Sequence, residues 1–448
     1  MLALPACAAL GAPAQRPYGA VPSARQLQWH KLEFYGFLHF TVNTFTDKEW
    51  GYGDEDPSIF NPSEFDAGAI VAALKAAGMS QVILTCKHHD GFCLWPTKTT
   101  EHSVAKSAWR GGQGDVVKEL SEAARAQGLK FGVYLSPWDR NSALYGKPEY
   151  VDLYRAQLRE LLTQYGPISE VWHDGANGGD GYYGGAREKR VIDKRTYYGW
   201  PRTWDLVRAL QPDAVIFSDV GPDLRWVGNE KGYAAETCWE TYDPIGPDGG
   251  APAPGFTQDK LGQTGTRGGS RWMPPECDVS IRPGWFWHAA ENDKVKSPRE
   301  LLDLYYRSFG RGGALLLNVP PDRRGLLHER DVESLASFGK LIRETFRENL
   351  APEIPMKGSE IVVPLSGETT FNVVRLREEI ELGQRVDAFE LDAWKRGAWE
   401  TFAHATSIGA CRLIRTPADV TTTKVRLRVV AAAASPALSE LALFREAM

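Results

Sequence analysis

The chain has 448 residues, 43% of them hydrophobic and 24% charged, with a formal net charge of -5. This composition is that of a globular chain rather than a disordered one, and no apolar run reaches the length that spans a bilayer. Charges of both signs are interspersed without a basic stripe, which removes nucleic acid from the expected partners.

Residues 1–15, rich in Ala, Leu and Pro around Cys7, look like the tail of a secretory signal with a candidate lipidation site, lacking a positive leading region and a full apolar stretch. Residues 1–24 are read as an export-signal remnant or a disordered terminus, and the expected location is periplasmic, cell-surface or secreted. Eight short, mostly apolar runs follow, at 34–40, 81–86, 130–135, 170–173, 214–217, 236–239, 279–282 and 314–318. Helical patterns stand between most of them, at 65–77, 115–127, 149–164, 201–210 and 298–309. Strands covered on both faces are apolar throughout, and their alternation with helices predicts a (β/α)8-like (TIM) barrel over residues 25–350. A doubly wound open sheet would want a Gly-rich phosphate loop after an early strand. Gly51-Tyr52-Gly53 has no strand feeding it and the wrong onward spacing. After a helix at 330–348 and the Pro-bearing stretch 351–355, strand-length runs at 361–363, 371–375, 388–391 and 425–430 succeed one another with few helices. They predict a small C-terminal β-sandwich over 351–448. Trp394 and Trp399 are its one evident aromatic platform, so it is read as a buttress for the barrel rather than a sugar-binding module.

In a barrel of parallel strands the chemistry sits at the C-terminal tips. The first strand ends on His39, the second on Lys87-His88-His89-Asp90, the third on Tyr134 and Ser136, the fourth on Trp172-His173-Asp174-Gly175. Asp174 is thereby a catalytic candidate, although an Asp-Gly pair is equally an ordinary turn. His88 and His89 with Asp90 or Asp174 would suit a metal, but neighbours at a strand end point to opposite sides. The two are read as hydrogen-bonding groups for a polar substrate, with a satisfied structural histidine as the alternative for one of them. No metal or cofactor is expected, since the six Cys at 7, 86, 93, 238, 277 and 411 lack ligand spacing. Fifteen Trp point to carbohydrate, whose C–H faces stack on aromatic rings, though any single Trp is more often core. Glycoside cleavage needs two carboxyl groups, one to attack or activate water and one to protonate the leaving oxygen. Asp174 supplies the first. The second is sought after the fifth strand, where Glu230 stands among Gly and aromatic residues and partial burial would help it hold a proton. Asp219, Asp223, Glu236 and Glu240 compete for that role.

The ordered set His39-Phe40, Glu49-Trp50, Lys87-His88-His89-Asp90-Gly91-Phe92, Gly132-Val133-Tyr134-Leu135-Ser136, Val171-Trp172-His173-Asp174-Gly175 and Leu315-Leu316-Leu317-Asn318-Val319-Pro320-Pro321 resembles the α-L-fucosidases of glycoside hydrolase family 29. The resemblance covers roughly residues 25–348. It implies a (β/α)8-like catalytic domain, a C-terminal β-sandwich and a retaining mechanism. By position Asp174 would be the nucleophile, and His39, Glu49, Trp50, His88, His89, Tyr134 and Trp172 would line the fucose pocket. The run Gly221-Pro222-Asp223 with Trp226-Val227-Gly228-Asn229-Glu230 resembles the subgroup that prefers α-1,3/1,4-linked fucose on Lewis-type branched glycans, and it implies Glu230 as acid/base. Trp226 and Trp285 are candidates for a subsite holding a neighbouring galactose. The expected partner is a fucosylated oligosaccharide or glycoconjugate. Three other readings stand beside this one: a broad-specificity α-L-fucosidase acting on aryl and α-1,2/1,6-linked fucosides, a metal-dependent barrel hydrolase, and a non-catalytic glycan-binding protein. The pair of carboxylate candidates argues against the last.

Overall fold

The computed structural model describes residues 16–356 and 358–446. The proposed signal remnant around Cys7 lies outside the described residues. Residues 16–24, grouped with that remnant on sequence, rest against the C-terminal part of the chain: Tyr18 N donates to Leu382 O at 3.0 Å, and Arg385 Nη2 donates to Arg16 O at 2.5 Å. Ser23 then caps the helix Ala24–His30 with a reciprocal capping box.

Eight parallel strands make the first sheet. They are β1 Phe34–Leu38, β2 Gln81–Lys87, β3 Lys130–Leu135, β4 Glu170–Trp172, β5 Val215–Phe217, β6 Arg225–Trp226, β7 Pro275–Ser280 and β8 Ala314–Asn318. Their order is β5-β4-β3-β2-β1-β8-β7-β6, and a lone parallel bridge between Phe217 and Leu224 spans the remaining seam. The sheet is therefore a nearly closed barrel. Six helices cover it: α1 Ala67–Ala77, α2 Val116–Ala126, α3 Pro148–Gln164, α4 Trp200–Leu210, α5 Pro298–Arg307 and α6 Glu329–Thr345. Local chemistry sets their ends. Asp66, Asp115 and Ser297 accept first-turn N–H groups, and Gly78 closes α1 in the left-handed conformation. Apolar groups on the two faces of the strands form separate cores. Phe37, Ile83, Tyr134, Trp172, Phe217 and Leu316 fill the barrel, whereas Leu38, Leu84, Val133 and Leu317 pack against the helices.

Two strands differ from the sequence reading. The sixth is Arg225–Trp226, not 236–239. Its signal is faint because it is two residues long and half of it is a buried arginine, satisfied by Gly262 O and Trp239 O. Residues 236–239 instead dock the C-terminal domain: Glu236 pairs with Arg412, and Cys238 N donates to Ser407 Oγ at 3.2 Å. The seventh strand begins at Pro275 rather than 279, a shift that matters for the site.

The C-terminal strands are β9 Glu360–Glu378, β10 Val386–Lys395, β11 Ala398–Thr406, β12 Arg412–Ala432 and β13 Leu438–Phe444, antiparallel in the order β11-β10-β12-β9-β13. Register shifts within β9 and β12 let these two long strands serve both layers of a sandwich. Val363, Leu391 and Leu427 on one part and Val374, Leu376 and Leu443 on the other share a single core. The Trp394 and Trp399 rings meet edge to face at 5.1 Å, with Lys424 and Arg426 beside them. No helix among the described residues is long and apolar enough to cross a membrane.

Candidate active site

A cavity of about 310 Å³ opens at the C-terminal ends of the barrel strands, lined by groups from sequence-distant tips. His39 follows β1, His88 and His89 follow β2, Tyr134 lies near the end of β3, and Asp174 lies just past β4. All of them line it, as do Trp50, Trp172, Trp226, Glu230 and Trp285.

Both adjacent histidines reach the cavity, so the strand-alternation argument against a shared face fails here. The strand ends at Lys87, and the chain then turns, with Gly91 N donating to His88 O at 3.0 Å and Gly91 at φ 81°. Neither is an outward-facing structural histidine. Their rings stand 4.0 Å apart. Burial drives the His89 and His39 imidazoles down to about 3, and His88 well below its ordinary range. All three are consequently neutral near pH 7, and their surroundings fix two of the tautomers. Asn318 Nδ2 donates to Ser280 Oγ and Trp285 O, so Asn318 Oδ1 accepts from His39 Nδ1–H at 2.9 Å. Ser136 Oγ gives its proton to Trp138 O and accepts from His89 Nδ1–H at 2.7 Å. His39 and His89 thus keep Nε2 lone pairs free as acceptors for substrate hydroxyls.

Asp174 Oδ2 accepts from Tyr134 Oη at 2.8 Å and Oδ1 from Ala176 N at 2.6 Å, while His89 Nε2 stands 3.9 Å from Oδ2. Burial raises the Asp174 carboxyl, and the two donors pull it back down. Trp172 forms part of the pocket wall. It stacks on Tyr134 and Phe217, and its indole donates to Glu276 Oε1 at 2.6 Å. His173 points the other way, with its Nδ1 2.8 Å from Tyr154 Oη. Trp50 is 54% exposed at the mouth, its backbone held by Arg140.

Glu230 reaches the surface, and its partial desolvation holds its carboxyl up against the Trp285 Nε1 donor 3.3 Å from Oε2, with the negative charges of Asp174 and Glu49 adding to the rise. Three competitors are committed elsewhere. Asp223 pairs with Arg208 and Arg25, Glu236 with Arg311 and Arg412, and Glu240 accepts from Ala410 N at the domain interface. Asp219 does line the cavity, where burial raises it to about 7 and it accepts from Gly255 N.

Glu49 is the exception among the residues carried over by resemblance. It is not part of the cavity lining and instead accepts from Trp285 N and Phe286 N. Conversely, Asp278 and Asp259 line the cavity without having been singled out. Asp278 accepts from Trp226 Nε1 at 2.8 Å, and burial, followed by repulsion from Glu230, pushes its carboxyl far up. The alternation Glu276-Cys277-Asp278-Val279-Ser280 carries that signal, with acids on the inner face of β7, ahead of the run expected at 279–282.

The 178–198 segment forms an antiparallel ribbon, Gly179–Gly181 with Glu188–Arg190. It packs on the Trp138 side of the site, where Trp138 Nε1 donates to Tyr183 Oη at 2.9 Å.

Residues 18–345 match the family profile described as Alpha-L-fucosidase. The chain is 42% identical over 466 positions to Alpha-L-fucosidase 1 of Arabidopsis thaliana, covering 96% of this chain and 88% of that protein. A solved glycoside hydrolase 29 family member from an unknown rumen bacterium superposes with a TM-score of 0.91 at 46% identity, over 97% of this chain and 78% of that one. A Ruminococcus gnavus GH29 fucosidase in complex with fucose gives 0.84 at 30% identity, over 98% and 97%.

Proposed function

The chain belongs to the α-L-fucosidase family of glycoside hydrolases, and we propose that it removes terminal α-L-fucose with retention, using Asp174 as nucleophile and Glu230 as acid/base. The carrying observation is the pair Asp174 and Glu230, which stand in unlike surroundings among the carboxyl groups that line one cavity. Burial raises both, but Asp174 has two donors that favour its charged form, whereas the partly desolvated Glu230 has one long donor contact and the negative charges of Asp174 and Glu49 to help it keep its proton.

In this reading Asp174 attacks the anomeric carbon as the glycosidic bond breaks, and the departing oxygen takes the Glu230 proton. A covalent fucosyl-enzyme results. Glu230, now ionised, takes a proton from water, whose oxygen attacks the anomeric carbon and releases Asp174. The Nε2 acceptors of His39 and His89 hold sugar hydroxyls, and Trp50 and Trp172 supply apolar wall for the C5 methyl group. For linkage we propose the α-1,3/1,4-linked, Lewis-type branched class. The Glu230 loop and Trp285 stand together at the mouth, with Trp226 beside them as a surface for a second sugar.

Fucose release from a Lewis trisaccharide, α-1,2-fucosyllactose and an aryl fucoside tests both levels. Release from the branched substrate alone is expected, and comparable turnover of all three would replace the linkage proposal by the broad-specificity reading. Asp174→Ala should lose activity on the order of 10,000-fold while its thermal transition persists. Substantial residual turnover would remove Asp174 from the nucleophile's role. Glu230→Ala with an activated aryl fucoside should be rescued by azide as fucosyl azide. Rescue at Asp219 instead would move the acid/base there.

A further inference from the structure

Glu49 sits in a chain of contacts that leads away from the cavity and back into it. Its Oε2 accepts from Trp285 N at 2.8 Å, and its Oε1 accepts from Phe286 N at 3.1 Å and from His288 Nε2 at 2.6 Å. The other ring nitrogen of His288, Nδ1, is 2.8 Å from Asp47 Oδ1. Both imidazole nitrogens face carboxylates, so the ring donates through both. Two segments are joined this way: Asp47-Lys48-Glu49, on the loop after β1, and 284–288, on the loop after β7. The fit is close, since a Cβ on Gly284 would lie 2.5 Å from Glu49 Oε1.

What the clasp holds belongs to the site. Trp285 Nε1 donates to Glu230, and the Phe286 ring packs edge-on against His88 at 5.1 Å and His39 at 5.4 Å. We propose that His288 is a positioning residue for the acid/base: by fixing Glu49 it fixes the Trp285–Phe286 backbone, and through the Trp285 indole it orients Glu230. His288 itself is not in the cavity lining. Its effect on the reaction passes through Glu230, so this inference rests on the acid/base reading above.

A group acting through the general acid matters in proportion to how much the leaving oxygen needs a proton. The test is a series of aryl fucosides, from dinitrophenyl to phenyl, with wild type, His288→Ala, Glu230→Ala and the double variant. For His288→Ala we expect kcat/KM to fall about tenfold or more on the phenyl fucoside but by less than about threefold on the dinitrophenyl one. In the Glu230→Ala background, His288→Ala should cost nothing further. Should His288→Ala not fold, Asp47→Gly asks the same question. Asp47 is 59% exposed at φ 61°, a conformation glycine accepts, and its loss removes one of the two partners of the ring.

Equal losses across the series, or losses additive with Glu230→Ala, would overturn the positioning role. Glu230→Ala showing neither leaving-group dependence nor azide rescue would instead bring down the acid/base reading, and this inference with it. The two failures are distinguishable because the second is read from the single Glu230 variant.

Discussion

Tyr134 offers the most direct handle on the nucleophile, because a single oxygen separates it from phenylalanine. Its hydroxyl donates to Asp174 Oδ2 at 2.8 Å, while its ring stacks on Trp172 at 5.3 Å. Tyr134→Phe keeps the stack and removes the donor. Burial already raises the Asp174 carboxyl, and the hydroxyl is one of two groups pulling it down, so its loss moves that carboxyl further up. Asp174 must be ionised to attack. The acid limb of the kcat/KM profile should therefore shift to higher pH, with a drop of about 10- to 100-fold in kcat. An unmoved acid limb would show that Tyr134 does not govern the nucleophile. At this scale the sequence brought out most of the residues that line the cavity, because the strand tips of a parallel barrel converge at one end. It misjudged where side chains point once a strand has ended: His88 and His89 share a face, and Glu49 turns to the Trp285–Phe286 backbone.

Elements were legible where periodicity is strong. The six barrel helices lie within two residues of their expected bounds at most ends, and the ends follow from the Asp, Ser and Gly caps. β6 and the start of β7 were not legible, since Arg225, Glu276 and Asp278 break the apolar pattern. Their polar side chains are buried among partners supplied by other strands and loops, Gly262 and Trp239 for Arg225, Trp172 for Glu276 and Trp226 for Asp278. Close packing between elements is likewise a pairwise property. Gly339 of α6 lies against the end of α1, and a Cβ there would sit 2.1 Å from Ala77 O. Gly339→Ala should favour the helix locally, yet overpacking against a backbone oxygen should cost about 1–3 kcal/mol of stability. A lowered urea midpoint with unchanged turnover in the folded protein is the expected result. An unchanged or raised midpoint would mean that α1 and α6 can separate at no cost.

Across the whole molecule, buried carboxyl groups join the barrel to the sandwich. Glu240 accepts from Ala410 N at 2.6 Å, and its backbone N donates to Gln384. Burial, reinforced by repulsion from Glu378, pushes its carboxyl up to about 8 despite the Ala410 donor and two nearby arginines. In the unfolded chain a Glu loses its proton near pH 4.3. Between that value and about 8 the folded state keeps a proton that the unfolded state has lost, so this group's contribution to stability declines as pH rises through that window. Glu240→Gln removes the titration. Its melting temperature relative to wild type should improve from about pH 5 to about pH 8, and a constant difference would place the titration elsewhere. The sandwich thus contacts the barrel from β12 and its flanks through Glu236, Cys238 and Glu240. By itself the sequence determined the alternation of strands and helices apart from β6, the sandwich after the barrel, and which residue types stand at the strand tips, because hydrophobic period and residue chemistry are local properties. Only the tertiary structure decided that Glu230 and Asp219 share the cavity with Asp174 while Asp223, Glu236 and Glu240 do not, which histidine tautomers face the cavity, and that Glu49 serves Trp285. Each of those depends on partners brought together from distant strand tips, and burial and hydrogen bonding exist only once the barrel has closed.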